Sequence, residues 1–173
     1  MPYKITGSLI VILSCTFLGY ILSTDCRKRP QQLRELQSML QMFENQISYL
    51  SDVITEAFIR IGKVCRSETG IFFTVTAEML NESRNLTASQ AWEYAVTQNI
   101  KRTALNREDE EILITFGKML GCTDIDGQLK NIRLALEQLK QQEAKAEASR
   151  NKNEKMYRSL GVLGGIAVVI VLM

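Results

Sequence analysis

Leu33, Leu36, Leu40, Phe43, Ile47, Leu50 and Ile54 recur at spacings of three and four, the interval at which an α-helix returns to one face. The pattern predicts a core-facing helical stripe, and it also fits a coiled-coil seam. Pro30 stands just ahead of it and suits a first helical turn, where its missing N–H goes unused. Ser51 or Asp52 can cap a second helix running to about Cys65. Gly70 precedes a third that carries Phe72, Phe73, Val75, Met79 and Leu80. "TASQAWEYAV" opens with Thr87 and Gln90 at capping-box spacing, which places Trp92 on the apolar side. In "NREDEEILITFGKML", Asn106 stands at a cap, and the acids Glu108 to Glu111 fall in or near the positive first turn. Gly121 ends that helix, and Thr123 with Asp126 opens another that carries Leu129, Ile132, Leu136 and Leu139. The polar run "KQQEAKAEASRNKNEK" follows, with Gln142 as an exposed position, and no breaker separates it from the end of the chain. The pattern predicts an all-α antiparallel bundle of about six helices.

Both ends of the chain read differently. Ile5 to Thr24 is an uncharged stretch of twenty residues, the length a spanning helix requires. Asp25 stands where a cleaved signal peptide or a lipoprotein signal would place a small residue. At the other end, no charge occurs from Leu160 to Met173. Met156 to Ser159 extend this to about 27 Å of helix, with Tyr157 and Arg158 suited to the headgroup level. The expected organisation is therefore an N-terminal transmembrane helix over 1–25, a helical-bundle domain over 26–155 and a C-terminal transmembrane helix over 156–173. Arg27, Lys28 and Arg29 after the first segment, and Arg150, Lys152, Lys155 and Arg158 before the last, set the topology. By the positive-inside rule they leave both termini outside and the domain in the cytoplasm, a two-pass integral membrane protein. Gly161 and Gly165, and Cys15, Gly19 and Ser23, place small residues four apart, a spacing that lets membrane helices pack or subunits oligomerise.

Composition narrows the chemistry. Twenty-one basic and nineteen acidic residues leave a net charge of +2, and the basic clusters lie beside the apolar ends, where they suit anionic lipid headgroups. No basic stripe with interleaved aromatics suggests nucleic acid. The chain has no histidine, which removes the commonest general base and a frequent metal ligand. Its four cysteines form no C-x-x-C pair, so neither a zinc site nor a cytoplasmic disulfide framework is indicated. Neither "RIGKV" nor "FGKML" has the upstream glycine of a phosphate-binding loop. Consecutive acids at Glu108 to Glu111 point in different directions on a helix and cannot converge on one ion. No enzyme activity and no cofactor are expected. A partner surface is expected at Glu108, Asp109 and Glu111, with adjoining Lys118 and Asp124.

Four stretches carry a resemblance to a family: "RKRPQQLRELQSMLQMFENQISY", the Ala91-Trp92 pair, "EEILITFGKMLGCTDIDGQ" and the closing "KMYRSLGVLGGIAVVIVL". In order, and over nearly the whole chain, they resemble stage III sporulation protein AB. The resemblance implies a component of the channel-like apparatus in the mother-cell membrane around the forespore of an endospore-forming bacterium. It also implies a helical domain similar to the inner-membrane platform protein of type II secretion and type IV pilus systems. Such a domain would dock a cytoplasmic secretion-type ATPase and support the other membrane components of the channel. Platform proteins usually have two such domains and three membrane helices, whereas this sequence reads as one domain and two. An alternative from another class is a membrane-anchored sensor whose helical domain lies outside the cytoplasm, with Cys26, Cys65 and Cys122 available for disulfides.

Overall fold

The structure, a computed structural model, describes residues 27–48, 54–65, 67–82 and 85–172. Among them the chain forms six α-helices: α1 over 27–48, α2 Ile54–Val64, α3 Ile71–Glu82, α4 Ala88–Asn99, α5 Arg107–Lys118 and α6 Ile125–Leu172. A 3-10 turn at Ile100–Arg102 closes α4. Residues 29–144 make one compact unit, the bundle; residues 27–28 and 145–172 belong to a second. Within the bundle α2 packs on α3, α3 on α4 and α4 on α5.

The apolar stripe of α1 is the core side of the bundle. Leu33, Leu36, Leu40, Phe43 and Ile47 are all buried, joined by Met39; Leu50 lies outside the described residues, and Ile54 opens α2, half-buried. α1 is helical from Arg27, the first described residue, and Pro30 lies in the first turn of that described span.

The centre of the core is aromatic. The Trp92 ring meets Phe73 at 5.0 Å, Phe116 at 5.4 Å and Phe58 at 5.5 Å between centroids, while Phe43 stacks on Phe58 at 4.8 Å. These tilted and edge-on arrangements suit the ring quadrupoles, and burying each such side chain contributes about 1.5–3 kcal/mol. A buried indole also needs a partner for its N–H. Trp92 Nε1 finds it in the carbonyl of Leu113, 2.8 Å away in α5. This brings α4 and α5 so close that a Cβ on Gly117 would overlap Trp92 Cδ1. The lone tryptophan and the glycine of "TFGKML" form one contact.

Helix starts follow local chemistry. Thr87 and Gln90 make the reciprocal capping box that their spacing predicts, and Asn106 caps α5. At α6 the cap is Asp124, whose Oδ1 accepts from the Gly127 amide at 2.9 Å. This corrects the expectation of Thr123, whose hydroxyl instead accepts from Gln128 Nε2 at 2.9 Å. The same Gln128 amide group donates to the Met119 carbonyl at 2.8 Å, and Asn131 donates to Phe116 O at 3.0 Å. Carbonyls at the end of α5, each of which also accepts a long backbone N–H bond of 3.3 Å, thus gain a second partner from side chains of α6. Gly121, with φ of 74°, takes the left-handed turn between the two helices.

The flanking transmembrane helices require correction. Among the described residues no helix is long and apolar enough to cross a membrane, which overturns the C-terminal span over 156–173 and the two-pass integral topology with it. The physical reason is length. The uncharged end of α6 begins only at Leu160, after Lys152, Glu154, Lys155 and Arg158, and falls short of the roughly 20 apolar residues that a span needs. The expected N-terminal span over 1–25, with Cys15, Gly19 and Ser23, lies outside the described residues. Gly161 and Gly165 lie within α6.

The Trp92 contact gives the first test. Gly117→Ala should destabilise the protein by about 2 kcal/mol or more, through forced displacement of the indole, as read by urea unfolding. A variant within about 0.5 kcal/mol of the parent would contradict the close approach.

Candidate functional site

The first turn of α5 sends its acidic residues in opposite directions. Asp109, three residues past the cap, is fully buried. Its Oδ2 accepts from the Asn106 amide at 2.9 Å, and Asn106 Oδ1 accepts from the Asp109 amide at 3.0 Å. The same carboxylate takes a two-point contact from Arg29 of α1: Nε to Oδ2 at 2.8 Å and Nη2 to Oδ1 at 3.0 Å. A buried carboxylate is tolerated only with such pairing, and the helix N-terminus adds a favourable dipole. Asp109 therefore joins α1 to α5 in the interior, whereas the neighbouring Glu108 and Glu111 are exposed.

Arg29 also donates through Nη2 to Gln142 Oε1 at 3.1 Å, and Gln142 Nε2 donates to Glu108 Oε2 at 2.8 Å. Gln142, expected to be exposed, is 7% accessible: each end of its amide is engaged by a side chain from another helix. Beside it runs an open groove of about 340 Å³ between α5 and α6, with Glu108, Glu111, Ile112 and Thr115 on one wall and Gln138 and Gln141 on the other. A second groove, about 430 Å³, lies against α5 and takes in Arg107, Glu110, Ile114 and Lys118. Glu111 and Thr115 line both grooves, and Glu111 is paired with Arg107 at 3.2 Å.

Of the residues expected at a partner surface, the structure thus gathers Glu108, Glu111 and Lys118 on the outer side of α5. Asp109 is turned inward, and Asp124 is exposed but occupied as the cap of α6. The residues assigned to topology are dispersed. Arg27 pairs with Glu154 at 2.7 Å, Arg150 with Glu147 at 3.1 Å, and Lys28 and Lys152 are exposed. Lys155 and Arg158 lie on α6, their side chains outside the description. In the sequence Arg29 is one of three consecutive charges; its pairing partner lies 80 residues away, and no local pattern reveals it.

Among the described residues no three metal-ligating side chains come together, and Cys65 and Cys122 are free thiols. Burial, with the Glu35 charge adding to it, raises the Cys65 pKa, which makes this thiol a poorer nucleophile. The fold and its surface define an all-α helical-bundle protein.

Comparison with known proteins gives that class a family. The sequence model of stage III sporulation protein AB matches residues 4–173, so this chain belongs to the stage III sporulation protein AB family. It is 32% identical over 170 residues to the stage III sporulation protein AB of Bacillus subtilis (strain 168), covering 98% of this chain and 99% of that protein. A solved structure of a stage III sporulation protein AB superposes with a TM-score of 0.67 at 30% identity, over 72% of this chain and 98% of the other. Members of the family are structural or scaffold proteins and not enzymes.

Two measurements test the electrostatics. Arg29→Met leaves the Asp109 charge buried without its partner and should cost about 3–5 kcal/mol in urea unfolding; Arg27→Met, at a more exposed pair, should cost less than about 1 kcal/mol. Equal losses would show that Asp109 does not depend on Arg29. The second concerns Glu143, accepting from Gln37 and Arg34. Partial burial pushes its pKa up, but these hydrogen bonds and the charges of Arg34 and Lys140 outweigh it, and the pKa falls below the ordinary 4.5. A lowered carboxylate pKa contributes stability that is present above the unfolded value and lost as pH falls through the folded one. Glu143→Gln should therefore flatten the loss of stability below about pH 4.5; an unchanged acid limb would count against this pairing.

Proposed function

We infer that this chain is a scaffold in the membrane machinery of sporulation, a component of a secretion-like channel complex, and that its bundle docks a secretion-type ATPase. Family membership supports the role in sporulation. The observation that carries the docking is the outer side of α5. Glu108 and Glu111 stand exposed, one turn apart, beside two open grooves, on a helix whose first turn is fixed from within by Asn106, Asp109 and Arg29. A surface held rigid before the encounter loses little entropy on binding, and its charges favour approach of a partner of opposite sign. Lys118, lower on the same helix, contributes the rim of the second groove. The scaffold then serves to hold or transmit mechanical work performed by the ATPase, since it has no chemistry of its own.

Charge reversal tests the surface. The double substitution Glu108→Lys with Glu111→Lys should weaken binding to the purified ATPase by about tenfold or more, measured by calorimetric titration with the full chain. Binding is compared under conditions where urea unfolding shows the variant folded, since the substitution also removes the Glu108–Gln142 hydrogen bond and the Glu111–Arg107 pair. Unchanged affinity would remove this face as the docking site.

A further inference from the structure

Glu108 and Asp109 are adjacent in sequence, one outside the bundle and one inside, and two side chains, Arg29 and Gln142, connect them through space. Asp109 binds Arg29, Arg29 Nη2 donates to Gln142 Oε1, and Gln142 Nε2 donates to Glu108 Oε2. The direction of the Gln142 amide is settled by this order. Arg29 offers only donors, so the oxygen of Gln142 must face it and the NH₂ must face Glu108. The buried ion pair thereby dictates what Gln142 presents at the groove. We propose that Gln142 is the positioning residue of the docking face: it holds the Glu108 carboxylate at the mouth of the α5–α6 groove in the orientation that the partner meets. This rests on the docking reading above and adds to it a residue that does not belong to the exposed surface.

A long, exposed glutamate samples many rotamers and loses that freedom when it is engaged. Tying one carboxylate oxygen to a buried amide removes part of the loss before the partner arrives. Gln142 is suited to this because it is itself immobilised, 7% accessible and gripped by a cation that the interior carboxylate fixes. Leucine at this position would fill a similar space without either hydrogen bond.

A double-mutant cycle on the full chain separates this role from mere support of the fold. Gln142→Leu, Glu108→Gln and the pair together are titrated with the purified ATPase, with urea unfolding run on each. Gln142→Leu should weaken binding about fivefold, and in the Glu108→Gln background it should cause no further loss, because there is no carboxylate left to orient. If the two losses simply add, or if Gln142→Leu leaves binding intact while Glu108→Gln weakens it, Gln142 does not act through Glu108 and the inference fails while the docking reading stands. If Glu108→Gln and the charge reversal at Glu108 and Glu111 both leave affinity unchanged, the docking reading falls, and the positioning role falls with it.

Discussion

The indole of Trp92 decides how closely α4 and α5 approach, and most of the bundle is arranged around that distance. Its N–H has to be satisfied where no water reaches, and the Leu113 carbonyl does so. The approach this needs is open only because residue 117 has no side chain. Once the indole is seated, Phe58, Phe73 and Phe116 close on its faces and edges, and Phe43 brings α1 into the same cluster through Phe58. The position of α5 in the bundle, and so of everything on its outer side, follows from one hydrogen bond and one missing methyl group.

A second constraint acts at the opposite end of α5. The aromatic cluster fixes the helix near its C-terminal turns, where Gln128 and Asn131 of α6 also satisfy its last carbonyls. Its first turn is held by Arg29 and Asn106 on Asp109. Apolar packing alone would leave the helix free to rotate a little about its axis, since dispersion and burial have little directionality. The two-point guanidinium contact has a defined geometry, and it determines which of four consecutive acidic residues faces the interior. That choice turns Glu108 and Glu111 to the outside. The exposed charge pattern is therefore a consequence of a buried pair and not an independent surface property.

How much of this could be read beforehand depended on the range of each interaction. The capping box at Thr87 and Gln90 and the cap at Asn106 were legible because donor and acceptor lie within three residues. The α1 stripe was legible because its period is that of the helix. Asp124 and Thr123 are adjacent residues that can both cap, and only the Gln128 side chain, which occupies the threonine hydroxyl, decides between them. The burial of Gln142 is not legible, because it lies in a polar run that resembles a solvated face and its partners are 113 and 34 residues away in the chain. The pairing of Arg29 is hidden among its basic neighbours for the same reason. The correction of the C-terminal span rests on a quantity present in the sequence: the uncharged end of α6 is shorter than a bilayer core requires.

These constraints bear on what a scaffold of this kind can do. A scaffold contributes to a machine by holding partners in fixed geometry, and the quality of that geometry depends on how its surface residues are supported. Here the support runs inward from Glu108 through Gln142 and Arg29 to Asp109, with every link a charged or charge-assisted hydrogen bond. Force applied at the outer side of α5 would be resisted by α1 and α6 through those links and by α4 through Trp92. Coupling along such a chain needs no moving part, because rigid elements share a load through the contacts that keep them in register. A helix tied at both ends to three neighbours is suited to that task in a way that a helix held by apolar packing alone is not.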